Sequence, residues 1–163
     1  MVILIDTREQ VPLTFAKCEG VETIVQMLPV GDYSARGSRV VIERKSVADL
    51  YGSYTANYDA ERAKIVKAKE LGLKFILAIE GSVFDIRSGY SYWKNGEQVE
   101  SKRSGISMIR TLLTVSRKYD IPIWWCNSRK EMSFLIMEYL LADEKFTKTE
   151  QARKVQEDSK DNP

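Results

Sequence analysis

The chain has 163 residues, 44% of them hydrophobic, and a formal net charge of +2; this suits one domain with its own core, and no apolar run approaches the ~20 residues of a membrane helix. There is no histidine, there are two cysteines, and no glycine is followed by lysine, which excludes histidine-based triads, histidine-ligated and four-cysteine zinc sites, and a P-loop for a nucleotide cofactor. Any catalysis must run on carboxylates, lysine, arginine or a hydroxyl.

In chain order, residues 2–6 (VILID) are an apolar run ending in acid and predict a buried strand. Residues 21–28 (VETIVQML) predict a short helix stopped by Pro29. Gly31-Asp32-Tyr33-Ser34-Ala35 leads through a turn near Gly37-Ser38 into a strand from Arg39 to Lys45, the pattern of a hairpin. Ser46 can cap a helix beginning at Val47, with Asp49 in its first turn. Residues 58–71 predict a helix with Ala60, Ala63, Val66 and Leu71 near one face, ended by Gly72. Residues 73–80 (LKFILAIE) predict a buried strand. The polar segment 88–105 carries Asn95-Gly96, the signal of a tight hairpin. Residues 106–118 predict a helix through Ile106, Ile109 and Leu113, 121–126 (IPIWWC) a strand, and 130–142 a last helix that is apolar around most of its circumference. The expected domain is 1–146, with a polar, flexible tail over 147–163. This order of elements predicts the α/β class, a mixed central β-sheet flanked by helices.

The N-terminus, MVILIDTREQ, lacks a basic n-region and meets acid at Asp6, so no signal peptide is expected, and an intracellular, cytoplasmic location is. Cys18 and Cys126 read as reduced thiols. Charge is uneven: residues 51–130 carry 14 Lys/Arg against 8 Asp/Glu, while 131–163 carry 5 against 8. The basic middle suits a polyanion, and it equally suits a solvated lysine surface.

Cleaving a phosphodiester requires something to offset the charge of the phosphate. Hard divalent cations do so, and they choose carboxylate oxygens. Residues 31–49 match that need. Asp32 opens one strand and Glu43 lies on its hairpin neighbour. Strand alternation puts Glu43 and Lys45 on one face with Arg44 opposite, so a carboxylate and an ammonium stand side by side. Asp6, at the end of the first strand, can add a third carboxylate. Each piece alone has a plainer reading, a turn for Gly31-Asp32-Tyr33 and an exposed strand for Glu43-Arg44-Lys45. Val40-Val41-Ile42 feeding directly into three charges is awkward to bury without a reason.

VILIDTREQ, LPVGDYSA and VVIERKSVADL together resemble the nuclease domain of the XPF-type structure-specific endonucleases. That family is marked by a Gly-Asp step followed by Glu-Arg-Lys-x-x-x-Asp, here Gly31-Asp32 and Glu43 through Asp49, with the upstream Asp6-Thr7-Arg8-Glu9 also present. The strong match covers about residues 2–51. The resemblance implies a restriction-endonuclease-like fold and Mg²⁺- or Mn²⁺-dependent endonuclease activity, with branched or flap-type DNA as substrate. It implies Asp32 and Glu43 as metal ligands, with the Arg44 carbonyl as a further one. Lys45 would position or activate water, and Asp6 and Glu9 would lie beside the metal. Arg44, Arg8 and Asp49 would organise the site or contact phosphate, as would Arg62. It also implies pairing of two copies through the late helices, a homodimer.

The 163 residues hold neither the family's usual helix–hairpin–helix domain nor a helicase domain, so further DNA contacts are left to a partner, a second copy or the basic middle. There Tyr90, Tyr92, Trp93 and Lys94, then Lys102 and Arg103, interleave rings and cations as single-strand binders do; rings packed on the domain are the favoured reading. The alternatives are an inactive DNA-binding scaffold, or a nuclease acting on RNA or plain duplex DNA.

Overall fold

The computed structural model of the chain describes residues 1–15 and 20–158; Cys18 and its expected free thiol lie outside them. The elements run β1 (Val2–Ile5), β2 (Glu22–Val25), β3 (Tyr33–Ala35), β4 (Val40–Ser46), α1 (Val47–Ala56), α2 (Tyr58–Glu70), β5 (Lys74–Glu80), α3 (Val83–Arg87), β6 (Ser91–Lys94), β7 (Glu97–Glu100), α4 (Gly105–Tyr119), β8 (Ile123–Cys126) and α5 (Arg129–Asp158). Six strands form one sheet in the order β2-β1-β3-β4-β5-β8. β3 is antiparallel to β1 and to β4, and the other pairs are parallel. This is the expected mixed sheet flanked by helices.

Alternation along the central strands sorts the two cores. In β5, Phe75, Leu77 and Ile79 pack with Val41 of β4 beneath α1, α2, α3 and α4, joined by Leu50, Ile65, Ile86 and Leu112. Ile76 and Ala78 point the other way, with Val40 and Ile42, toward Met132, Ile136 and Leu140 of α5. A strand covered on both faces reads as a continuous apolar run, as β5 does. Burying a Leu or Ile side chain contributes about 2 kcal/mol, so these two layers supply most of the driving force.

The hairpin over β3 and β4 and the helix capped by Ser46 both form as expected, the Ser46 side chain accepting from the Asp49 amide. The Asn95-Gly96 turn joins β6 to β7, both residues at positive φ (52° and 84°). Among the described residues no helix is long and apolar enough to cross a membrane.

Several expectations are corrected. Residues 21–28 are not a helix: β2 pairs parallel with β1, Val2 opposite Glu22 through Ile5 opposite Val25. Its apolar spacing does fit a helix, but β-branched Thr23, Ile24 and Val25 suit the free edge that β1 offers. In α2 the inward residues are Glu61, Ile65 and Ala68, while Ala60, Ala63 and Leu71 are exposed. In α4 they are Met108, Leu112 and Val115, while Ile106 and Leu113 are exposed. α3 occupies residues for which no element was expected; Ser82 and Asp85 form its capping box. The last helix does not stop near 142 but continues to Asp158, through most of the expected tail.

Candidate active site

The site grows from the backbone between β1, β3 and β4. Gly31 has φ +79°, and a Cβ there would lie 3.3 Å from the Ile42 carbonyl oxygen and from Val41 Cβ. Glycine alone lets the chain turn this close to β4. The Asp32 amide then donates to the Ile42 carbonyl at 2.9 Å, and the Asp32 carbonyl accepts from the Asp6 amide at 2.8 Å. Asp32 is thereby clamped between β4 and the end of β1. Its carboxylate accepts the Arg44 amide at 2.7 Å, so the strand that carries Glu43 and Lys45 also aims Asp32.

The three side chains line one cleft of about 760 Å³, together with Glu9, Asp49 and Lys64. Glu43 and Lys45 share the sheet face that looks toward α1 and α2, and both are buried. Lys45 Nζ lies 2.9 Å from Glu43 and 3.0 Å from Glu61 of α2. Lys64 Nζ lies 2.6 Å from the same Glu43 oxygen and 3.3 Å from Glu61. Two carboxylates and two ammoniums thus alternate, Glu43, Lys45 and Lys64 lining the cleft and Glu61 lying outside its lining. Glu43, Lys45 and Glu61 are buried, and removing one of them leaves a partner uncompensated at a cost of about 3–5 kcal/mol, whereas Lys64 is partly exposed and open to water.

Burial, reinforced by the charge of Glu43 and opposed by the Arg44 amide, raises the Asp32 carboxyl to about 7. Burial opposes the charge on Lys45, yet the Glu43 and Glu61 carboxylates outweigh it and hold the ammonium above its ordinary value. A buried carboxyl that resists ionising, with a second carboxylate adding to that resistance, is a place that gains from a cation. Lys64 already stands on Glu43 in that capacity.

Asp6 is placed differently from the expectation that it adds a third carboxylate. It is buried and absent from the cleft lining. Its oxygens accept from Arg8 Nε at 2.6 Å, the Arg8 amide at 2.8 Å and the Leu28 amide at 2.6 Å. Burial raises its pKa, but these donors outweigh burial and the carboxyl stays below the usual range. Asp6 ties the end of β1 to the segment leaving β2. Among the described residues no three Asp, Glu or Cys side chains gather closely enough to hold a metal ion. Asp32 and Glu43 remain as a two-carboxylate donor set. That number fits Mg²⁺, which keeps several waters and takes its other ligands from substrate phosphate.

Arg44 points to the opposite face, as alternation requires. It pairs with Glu80 at 2.7 Å and approaches Glu9 at 3.5 Å. Glu80 also meets Arg129 at 3.2 Å, and Arg129 donates to the Val11 and Pro12 carbonyls. This chain of charges fixes the 9–12 loop at the cleft rim. Arg8 is mostly exposed beside the cleft. Asp49 accepts from Ser46 Oγ at 2.6 Å.

The outlying cations are scattered. Arg62 is exposed, 3.8 Å from Asp59, and outside the cleft lining. Lys102 is exposed. Arg103 is partly buried and donates to the Tyr54 carbonyl and to Thr111 Oγ1. Tyr90 does pack on the domain, stacked on Tyr51 at 5.4 Å and near Tyr92 at 6.2 Å, whereas Trp93 is exposed. Sequence reasoning missed Glu61, Lys64 and Lys67, which reach the site or its cleft from α2. The signal was an acid at Glu61, four residues before Ile65 and seven before Ala68, on the apolar stripe itself.

Residues 5–139 match the family described as the ERCC4 domain. Among solved structures, XPF from Aeropyrum pernix in complex with DNA is similar at 19% identity, over 88% of this chain and 65% of that one, with a TM-score of 0.64. XPF from Aeropyrum pernix is similar at 16% identity, over 93% of this chain and 69% of that one, with a TM-score of 0.62. The chain therefore spans less than two thirds of the first of these structures. No curated protein matches it.

Proposed function

This chain belongs to the ERCC4 domain family, and on that footing we propose that it is a metal-dependent endonuclease that hydrolyses phosphodiester bonds in DNA, branched or flap-type DNA foremost. The observation that carries this reading is the burial of Glu43 beside Lys45 at the floor of a cleft that Asp32 also lines. Placing such charges in a core is costly, and the chemistry of phosphate explains the cost. DNA as the partner is supported by the DNA-bound state of one structure that this chain resembles.

Asp32 and Glu43 would hold Mg²⁺ or Mn²⁺. The bound cation would offset phosphate charge and lower the pKa of a water molecule. The Arg44 amide keeps Asp32 aimed at that position. Lys45, kept as an ammonium by its two carboxylates, donates hydrogen bonds that orient the attacking water and stabilise charge developing on a phosphoryl oxygen. Lys64 and Lys67 line the cleft and attract the backbone of the substrate.

Retention of the carboxylates and the lysine argues against an inactive scaffold. We read the assembly as a homodimer, because Phe134 of α5 is 61% exposed beside a helix face already seated on the sheet. The test is cleavage of linear, flap, fork and four-way DNA and of RNA with Mg²⁺ and with chelator. Mg²⁺-dependent cutting of branched DNA supports the reading. Binding without cutting favours the scaffold, and preferential cutting of RNA or linear duplex changes the substrate.

A further inference from the structure

The proposed reaction gives Glu61 no task, yet it is a buried charged residue in the same cluster. It sits on the inward stripe of α2 with Ile65 and Ala68, where an apolar side chain would ordinarily lie. A carboxylate survives there only when paired. Its partners are Lys45 Nζ at 3.0 Å and Lys64 Nζ at 3.3 Å. Among the described residues no buried side-chain nitrogen or oxygen lacks a partner.

Two facts separate the partners. Lys64 is 39% exposed, so water can serve it as well. Lys45 is buried, and its ammonium is held from two sides, by Glu43 of its own strand at 2.9 Å and by Glu61 from a helix. A lysine has four rotatable bonds and a point charge, so one anchor leaves it free to swing. If Glu43 gives its charge to a cation, as the reading above requires, Glu61 becomes the one carboxylate committed to Lys45.

We propose that Glu61 is the positioning residue of Lys45: it draws the ammonium toward α2 and, as the second anchor beside Glu43, fixes it in the cleft. This inference rests on the proposed endonuclease activity. Glu61 acts through Lys45 and touches neither substrate nor metal.

The experiment compares the full-length wild type with E61Q, E61A, K45A and K45A/E61A. It reads kcat and KM of DNA cleavage, Mn²⁺ affinity by calorimetry without DNA, and the melting temperature. E61A should lose roughly ten- to a hundredfold in kcat, the usual scale for a misplaced group, with KM and Mn²⁺ affinity unchanged. E61Q keeps an acceptor oxygen of the same shape but loses the charge that draws the ammonium, so its kcat should fall between those of E61A and wild type; where E61A fails to fold, a folded E61Q with wild-type kcat overturns the proposal. K45A/E61A should be no slower than K45A, because the second change removes a support for a group already gone. Additive loss in the double variant overturns the proposal, since Glu61 then acts without Lys45. Weaker Mn²⁺ binding by a folded E61Q overturns it too, by making Glu61 a ligand. Wild-type cleavage by K45A would sink the endonuclease site itself, a result distinguishable from either.

Discussion

The Arg44 amide donates to Asp32 Oδ2 at 2.7 Å, so the backbone of one strand orients the carboxylate of its neighbour. Asp32 and Glu43 are thereby presented together although 11 positions separate them. A ligand role predicts that Asp32→Ala and Glu43→Ala each abolish Mg²⁺-dependent cleavage. Lys45→Ala should cost on the order of a hundredfold while sparing Mn²⁺ binding. Single-turnover cleavage with parallel calorimetry checks this, and full activity in folded Asp32→Ala would refute the assignment.

Asp32 also predicts a pH dependence of the metal-free protein. Its pKa is raised in the folded state to about 7, from roughly 4 in the unfolded chain. Between those values the folded state holds a proton that the unfolded state has released, so stability falls as pH rises through that window, by on the order of 4 kcal/mol. Asp32→Asn should remove this slope and be more stable than wild type at about pH 8. Denaturant midpoints in chelator, taken across the range, measure it. Metal binding should release a proton below pH 7 and strengthen up to that point. With no histidine in the chain, cleavage should rise with pH, and a bell centred near neutrality would count against the mechanism.

Asp6 should behave as a stability residue. Asp6→Ala strands the Leu28 amide and frees Arg8, with an expected loss of roughly 2–4 kcal/mol without metal. Because its carboxyl is held low, that contribution is present above the unfolded value and disappears as pH falls through the folded one. The folded fraction of the variant should bind Mn²⁺ like wild type. Lost affinity there would restore Asp6 to the ligand set.

The cations should divide by how they are engaged. Lys67 lines the cleft and Lys102 is exposed; replacing each by Ala should weaken DNA binding at all sequences and flatten the salt dependence by about one counterion. Arg103 serves the Tyr54 carbonyl and Thr111, so Arg103→Ala should lower the melting temperature and leave the salt slope alone. Titrations at several salt concentrations separate the two. An unchanged slope in Lys67→Ala would remove that residue from the DNA path.

The last helix separates assembly from folding. Phe134 is exposed, whereas Met137 is buried in the core of its own chain. Phe134→Glu should convert a dimer to a folded monomer in sedimentation at micromolar concentration, while Met137→Glu should unfold the chain. A wild type that sediments as a monomer would end the dimer reading.

Periodicity and local chemistry were enough for much of this protein. The absence of histidine limits the available chemistry by composition alone, the alternation through Val41, Glu43 and Lys45 places carboxylate and ammonium on one face, and Gly31, Ser46 and Asn95-Gly96 mark turns and a cap that depend on nearest neighbours. What the sequence left open needed distant partners. β2 is a strand because the edge of β1 had hydrogen bonds to offer, a fact absent from residues 21–28 themselves. The inward stripes of α2 and α4 lie a residue or two from the expected ones because both helices carry apolar side chains on two sides, and only the docked sheet selects which goes inward. That selection brought Glu61 and Lys64 to the site. It was likewise the approach of Arg8 and the Leu28 amide that occupied the Asp6 oxygens. A carboxylate's task depends on which donor or cation reaches it first, and only the folded chain brings them within reach.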